Sequence, residues 1–229
     1  RLMTKKELEK EFIDKNKEQV IWDTQTNNEY TLEDISKKKI IAFAKKAALH
    51  YTNNKEVLEK LGLMKKETLN NAALLFFAKN PQRHFPFYTL RSAIFSGTDK
   101  AAPIIDMHDF TGDLFTLIEE AEKYIMKNTH TGMRLEGLRR VDIPELHPAA
   151  VREAIVNAFC HRDYTIPQEV QITIFNDRVE ILNPGKLLAN LTIQKITTKK
   201  VSERRNPLIA DIFHKVHYVE KWGTGIDKI

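Results

Sequence analysis

Cysteine is nearly absent. One residue in 229 excludes a disulfide framework and points to a reducing compartment, so the cytoplasm is the expected location. No apolar run approaches the ~20 residues that a membrane-spanning helix needs, and no secretory leader opens the chain. Neither an internal repeat nor a low-complexity stretch is present. The glycine-rich G-x-x-x-x-G-K-[ST] loop of P-loop motors is missing. His147, Cys160, His161 and Asp163 lack paired metal-ligand spacing. Cys160 and His161 are adjacent, so they cannot readily face one another as nucleophile and base, and a thiol enzyme is rejected with the zinc site.

What is there is globular in make-up, with 42% hydrophobic and 29% charged residues. At roughly 100–200 residues per domain, the length allows one large domain or two small ones. The chain opens on Arg1 and stops inside an ordered-looking segment, as a fragment of a longer protein would. Net charge is +5, and from Lys186 to Ile229 nine Lys/Arg face four Asp/Glu, so the excess sits in these 44 residues. Such a segment attracts phosphates of a nucleotide or of nucleic acid, or is simply a solvated surface.

The pattern predicts helices over most of residues 1–70. A capping start at Thr31–Asp34 leads into Ile35, Ile40, Ile41, Phe43, Ala44 and Ala47 as an apolar face. A shorter helix at Lys55–Leu61 stops at Gly62. The run Ala72–Ala78 reads as a buried strand, with a helix as the alternative, and Tyr88–Phe95 as a second strand. Phe110, Leu114, Leu117, Ile118, Ala121, Tyr124 and Ile125 give a helical stripe. Met133–Arg140 is expected as a strand and Asp142–Pro144 as a turn. Residues 148–163 form a helix with Pro148 in its first turn. Val170–Phe175 and Val179–Leu182 pair around a hairpin tip at Asn176-Asp177, and Leu208–Val216 is a final helix.

Three features could carry chemistry. On the 148–163 helix, Glu153, Asn157 and His161 lie four apart and form one polar ridge. A carboxylate one turn before an amide could orient or deprotonate a water beside a Mg²⁺ ion held by the amide oxygen. Taken alone, the pair is better read as a solvated helix face. Gly223-Thr224-Gly225 lets backbone approach phosphate oxygens before a helix, or is a plain turn. Asn183-Pro184-Gly185 could set a polar side chain at a pocket floor, or merely end a strand. His161-Arg162-Asp163 matches the H-R-D of protein kinases only superficially, for no glycine-rich loop or D-F-G accompanies it.

The order of these pieces resembles the nucleotide-binding fold shared by gyrase, Hsp90, histidine kinases and MutL, the GHKL or Bergerat fold. The stretch Arg152–Ala158 followed by His161–Tyr164 resembles a bacterial and archaeal family of transcriptional regulators. Val179–Gly185, Arg205-Asn206-Pro207 with Ile209-Ala210, and Glu220–Ile226 are similar to it too. Members are described as resembling the C-terminal part of the RecG helicase, and they carry an N-terminal Schlafen-like AlbA domain that binds DNA or RNA. The match covers about 148–229, and extends more loosely through Leu69–Ala72 and the apolar run after it. No AlbA domain is recognised in this sequence.

The resemblance implies Glu153 as general base and Asn157 as Mg²⁺ ligand. Asn183 falls where the fold carries an adenine-reading aspartate, and Gly185 matches a glycine after it. Gly223 and Gly225, with Thr224 between them, match phosphate-side glycines beside a lid that would include Lys199–Arg205. The fold's D-x-G-x-G is here Asn183-Pro184-Gly185-Lys186-Leu187, and an amide oxygen accepts more weakly than a carboxylate.

The expected architecture is α+β: a helical and mixed N-terminal part, then a helix-on-sheet sandwich. Its divisions are a helical connector at 1–70, a mixed middle region at 71–146, and a GHKL-like ATP-binding module at 147–229, truncated at its C-terminus. The expected cofactors are ATP and Mg²⁺, with slow ATP hydrolysis in a DNA-associated transcriptional regulator. The alternative is a scaffold or dimerisation domain with a degenerate pocket. A third reading is direct nucleic-acid binding by Lys199, Lys200, Arg204 and Arg205. The expected partners are a nucleotide, DNA through the absent N-terminal domain and a second copy in a homodimer, with no membrane.

Overall fold

A computed structural model describes residues 21–136, 139–188 and 204–218, with Thr4, Thr192 and Gln194 as isolated positions, and the backbone alone at 131, 133–136 and 139–143. The chain is α+β. Two single-turn 3-10 helices, Trp22–Thr24 and Leu32–Asp34, precede α1 (Lys37–Lys46) and α2 (Asn54–Lys60). A tight hairpin of β1 (Met64–Lys65) and β2 (Thr68–Leu69) leads into α3 (Asn71–Phe77) and the short α4 (Pro81–His84). There follow β3 (Leu90–Phe95), β4 (Ile104–Phe110), α5 (Leu114–Asn128), β5 (Thr131–Glu136), β6 (Arg139–Pro144), α6 (Pro148–His161), β7 (Val170–Ile174), β8 (Val179–Leu182) and α7 (Pro207–Lys215).

The main sheet has the strand order β4-β3-β7-β8. Its outer pairs are antiparallel hairpins, and the central pair, β3 with β7, is parallel. A parallel neighbour needs a crossover, and here it contains α5, the β5–β6 hairpin and α6. Period-2 alternation sends Leu90 and Ser92 of β3, with Val170, Ile172 and Ile174 of β7, to one buried face. Onto this face pack α5, through Leu117, Ile118, Ala121 and Ile125, and α6, through Val151, Ile155 and Phe159. Fully burying each large apolar side chain stabilises the fold by about 1.5–3 kcal/mol.

Several expectations are corrected. Ala72–Ala78 is not a strand, because Asn71–Phe77 is helical and every residue of it is buried. A run with no polar face has no period to read. The deciding group is Asn70, whose side-chain oxygen accepts from Ala73 N at 3.0 Å as an N-cap. Thr31 caps only the 3-10 turn, and α1 starts later under Ser36, leaving Ile41 exposed. Phe110 ends β4 and does not belong to the helical stripe, since α5 begins at Leu114 under an Asp113 cap. β4 itself has no counterpart among the expected elements. Among the described residues it is a sheet-edge strand, mostly exposed, so its residues carry little apolar alternation. Asp142–Pro144 is no turn: it lies in β6, which pairs with β5.

Candidate functional site

α6 begins at Pro148, whose missing N–H costs nothing in a first turn. Its apolar side enters the core, so the opposite side carries Glu153, Asn157 and His161, each partly exposed. Asn157 Nδ2 donates to Glu153 Oε1 at 3.1 Å, which fixes the amide and leaves its carbonyl oxygen as the atom able to ligate a cation. Beside them, Arg152 pairs with Glu122 of α5 at 2.6 Å and holds the two helices in register. His161 is pushed below the ordinary imidazole range by burial, with the Arg205 and Arg204 charges adding to the effect. It is therefore neutral at pH 7. Burial pushes the Cys160 thiol up to about 12, so it stays protonated and unreactive near neutral pH.

The turn after β8 docks at the end of α6. Asp163 N donates to Pro184 O at 2.8 Å. Asn183 is partly exposed and Pro184 buried. Gly185 has φ +130°, and a Cβ there would stand 3.0 Å from Asp163 Cβ and 3.3 Å from Asp163 N, so this close approach requires glycine. The structure thus brings Glu153, Asn157, Asn183 and Gly185 onto one helix and the turn packed against its end. Gly223, Thr224 and Gly225 lie outside the described residues, as do Lys199 and Lys200. Arg204 pairs with Asp211 at 3.0 Å and Arg205 with Asp163 at 3.3 Å, so both arginines are engaged within the chain.

The residues after α6 have a structural role that their sequence does not announce. Arg162 is 1% exposed. Its guanidinium lies over the rings of Tyr88 and Tyr164, at 4.4 and 4.8 Å, and donates to the carbonyls of Phe87, Ile166 and Gln168. Tyr164 donates to Phe159 O at 2.8 Å and stacks on Trp22 at 4.9 Å. Asn206 donates to Cys160 O and Arg162 O at 2.9 and 2.8 Å, satisfying carbonyls at the helix end that have no intrahelical partner. Asp23 caps the opposite element, accepting from Ile209 N in the first turn of α7 at 3.0 Å. His161-Arg162-Asp163-Tyr164 is therefore a packing junction here. The sequence offers at most faint signals of this, Asn206-Pro207 at a helix start and Tyr164 two residues after Arg162.

One neutral oxygen donor suits Mg²⁺, which keeps several waters and takes other ligands from phosphates. Among the described residues no group of three or more His, Cys, Asp or Glu could hold a metal ion. Asn157 fits the role of the single oxygen donor. No helix among the described residues is long and apolar enough to cross a membrane.

Residues 168–229 match a family model described as "Putative ATP-dependent DNA helicase recG C-terminal". That stretch holds Asn183, Gly185 and Gly223–Gly225 and begins after Glu153 and Asn157. No curated protein matches. Among solved structures, the DIP2311 protein from Corynebacterium diphtheriae, a structural-genomics target, superposes with a TM-score of 0.75 at 20% identity. The alignment covers 95% of this chain and 44% of that one, so the chain spans under half the length of that structure. This chain is thus similar to the RecG C-terminal-like ATP-binding family over 168–229, and to the Corynebacterium protein in its fold.

Proposed function

We propose that the chain is the nucleotide-binding part of a DNA-associated transcriptional regulator, taking ATP together with Mg²⁺. The observation that carries this reading is the seating of the Asn183–Gly185 turn on the end of the helix that presents Glu153 and Asn157. The family match over 168–229, which contains that turn, supports it. In this reading Asn157 holds Mg²⁺ through its carbonyl oxygen. Asn183 accepts from the adenine amino group, and Gly223, Thr224 and Gly225 offer backbone to the phosphates. Bound Mg²⁺ would neutralise phosphate charge. Glu153 would orient a water and take its proton as the water oxygen bonds to the γ-phosphorus and the bond to the bridging oxygen breaks, so that slow hydrolysis releases ADP and phosphate.

The test is a thermal melt with and without Mg²⁺-ATP and with a non-hydrolysable analogue. Binding to the folded state raises the midpoint. A Mg²⁺-dependent rise that disappears in Asn157→Ala is expected, whereas no rise at millimolar nucleotide refutes the reading. A non-catalytic role, as a scaffold or dimerisation piece, has its own support. Asn183 is neutral where an anion would accept more strongly, and the buried Pro184 stiffens the turn. In that case neither the melting midpoint nor phosphate release responds to Mg²⁺-ATP, and Glu153→Ala changes neither.

A further inference from the structure

Among the described residues, the turn after β8 hangs on a four-residue strand that pairs on one side only, with β7. What fixes the turn lies elsewhere, and it converges on Asp163. The backbone N–H of Asp163 donates to Pro184 O. Its Oδ1 accepts from Thr165 N and Thr165 Oγ1, at 3.0 and 2.6 Å, which sets the plane of the carboxylate. Oδ2 is thereby aimed at Arg205, whose Nη1 stands 3.3 Å away. The other arm of the same guanidinium, Nη2, donates to Lys186 O at 2.5 Å. One arginine therefore bridges the end of α6 and the far side of the Pro184-Gly185 turn. Arg205 is itself held, because the next residue, Asn206, is 1% exposed and tied to the last carbonyls of α6. Both charged side chains of the pair are about four-fifths shielded from water, so solvent screens them less than an ordinary surface pair.

We propose that Asp163 and Arg205 are positioning residues that clasp the Asn183–Lys186 turn to α6 and so set Asn183 relative to Glu153 and Asn157. This rests on reading that face as a nucleotide site. A ligand that touches both the turn and the helix binds only the clasped arrangement, and when the clasped fraction falls, apparent affinity falls by the same factor. Neither residue needs to touch the nucleotide. The clasp also shields the Lys186–Leu187 peptide bond, because Arg205 occupies the carbonyl that a protease must polarise.

The experiment uses the full chain with Asp163→Asn, Arg205→Gln and the double variant. Two quantities are read: trypsin cleavage at Lys186–Leu187, resolved by mass spectrometry, and affinity for Mg²⁺-ATP. Asp163→Asn keeps the oxygen that Thr165 uses, and a melting midpoint within a few degrees of the parent shows that the fold is retained. Each single variant is expected to speed cleavage at Lys186 and weaken nucleotide binding by about tenfold. The double variant should be no worse than the stronger single one, since both remove one shared interaction. Unchanged cleavage at Lys186, or effects that simply add, overturns the clasp. Faster cleavage with unchanged affinity overturns the positioning role and leaves the nucleotide site standing. If the parent binds no nucleotide, the functional reading fails, and cleavage at Lys186 alone decides whether the clasp exists.

Discussion

Asp23 offers the sharpest quantitative test of the fold. It sits fully buried in the first 3-10 turn, accepts a hydrogen bond from Ile209 N, and has no partner for Oδ1 among the described residues. Burial disfavours the anion, while the amides at the start of α7 favour it, and burial wins, raising the carboxyl from 3.8 to about 6. The folded state therefore binds the proton more tightly than the unfolded chain. Stability from this group is fully present below about pH 3.8 and is lost as pH rises to about 6. Two pH units at 1.36 kcal/mol each amount to about 3 kcal/mol. Urea unfolding of the parent and of Asp23→Asn, between about pH 3.5 and 7.5, measures it. The variant leaves an amide buried without an acceptor, which shifts its whole curve. The parent-minus-variant difference isolates the titration of Asp23 and should fall by about 3 kcal/mol across that window. A flat difference curve would refute the claim that this carboxyl is buried against α7.

Two further outcomes concern the same junction. Gly185→Ala forces a side chain into a left-handed backbone conformation and against Asp163, so a loss of about 1–3 kcal/mol is expected in urea unfolding; an unchanged midpoint would mean the turn is not seated there. His161 is held neutral by burial and by Arg205 and Arg204. Its folded pKa lies below the unfolded one, so its contribution is present above about pH 6.5 and is lost on acidification, the opposite sign to Asp23. Arg205→Gln should raise the His161 pKa in an NMR titration of its ring protons, and an unmoved titration would place Arg205 elsewhere.

Much of the architecture was legible because periodicity is a local property. The alternation in Val170–Ile174 and Val179–Leu182 marks the β7–β8 hairpin, and the spacing of Leu117, Ile118, Ala121 and Ile125 marks the buried side of α5. Glu153 and Asn157 were bound to share a face, since a helix repeats every ~3.6 residues. Legibility failed where an element has no contrast along its length. α3 is buried all round and β4 is mostly exposed, so neither shows a period, and a cap in one case and a strand partner in the other decided the conformation. What only the tertiary structure decided is the convergence of distant polar groups. Asp163 meets Pro184 and Arg205, Asn206 reaches the end of α6, and Asp23 caps α7 across 186 positions. The physical reason is that a buried donor or acceptor must find a partner wherever the packed chain brings one, and sequence spacing does not encode that meeting.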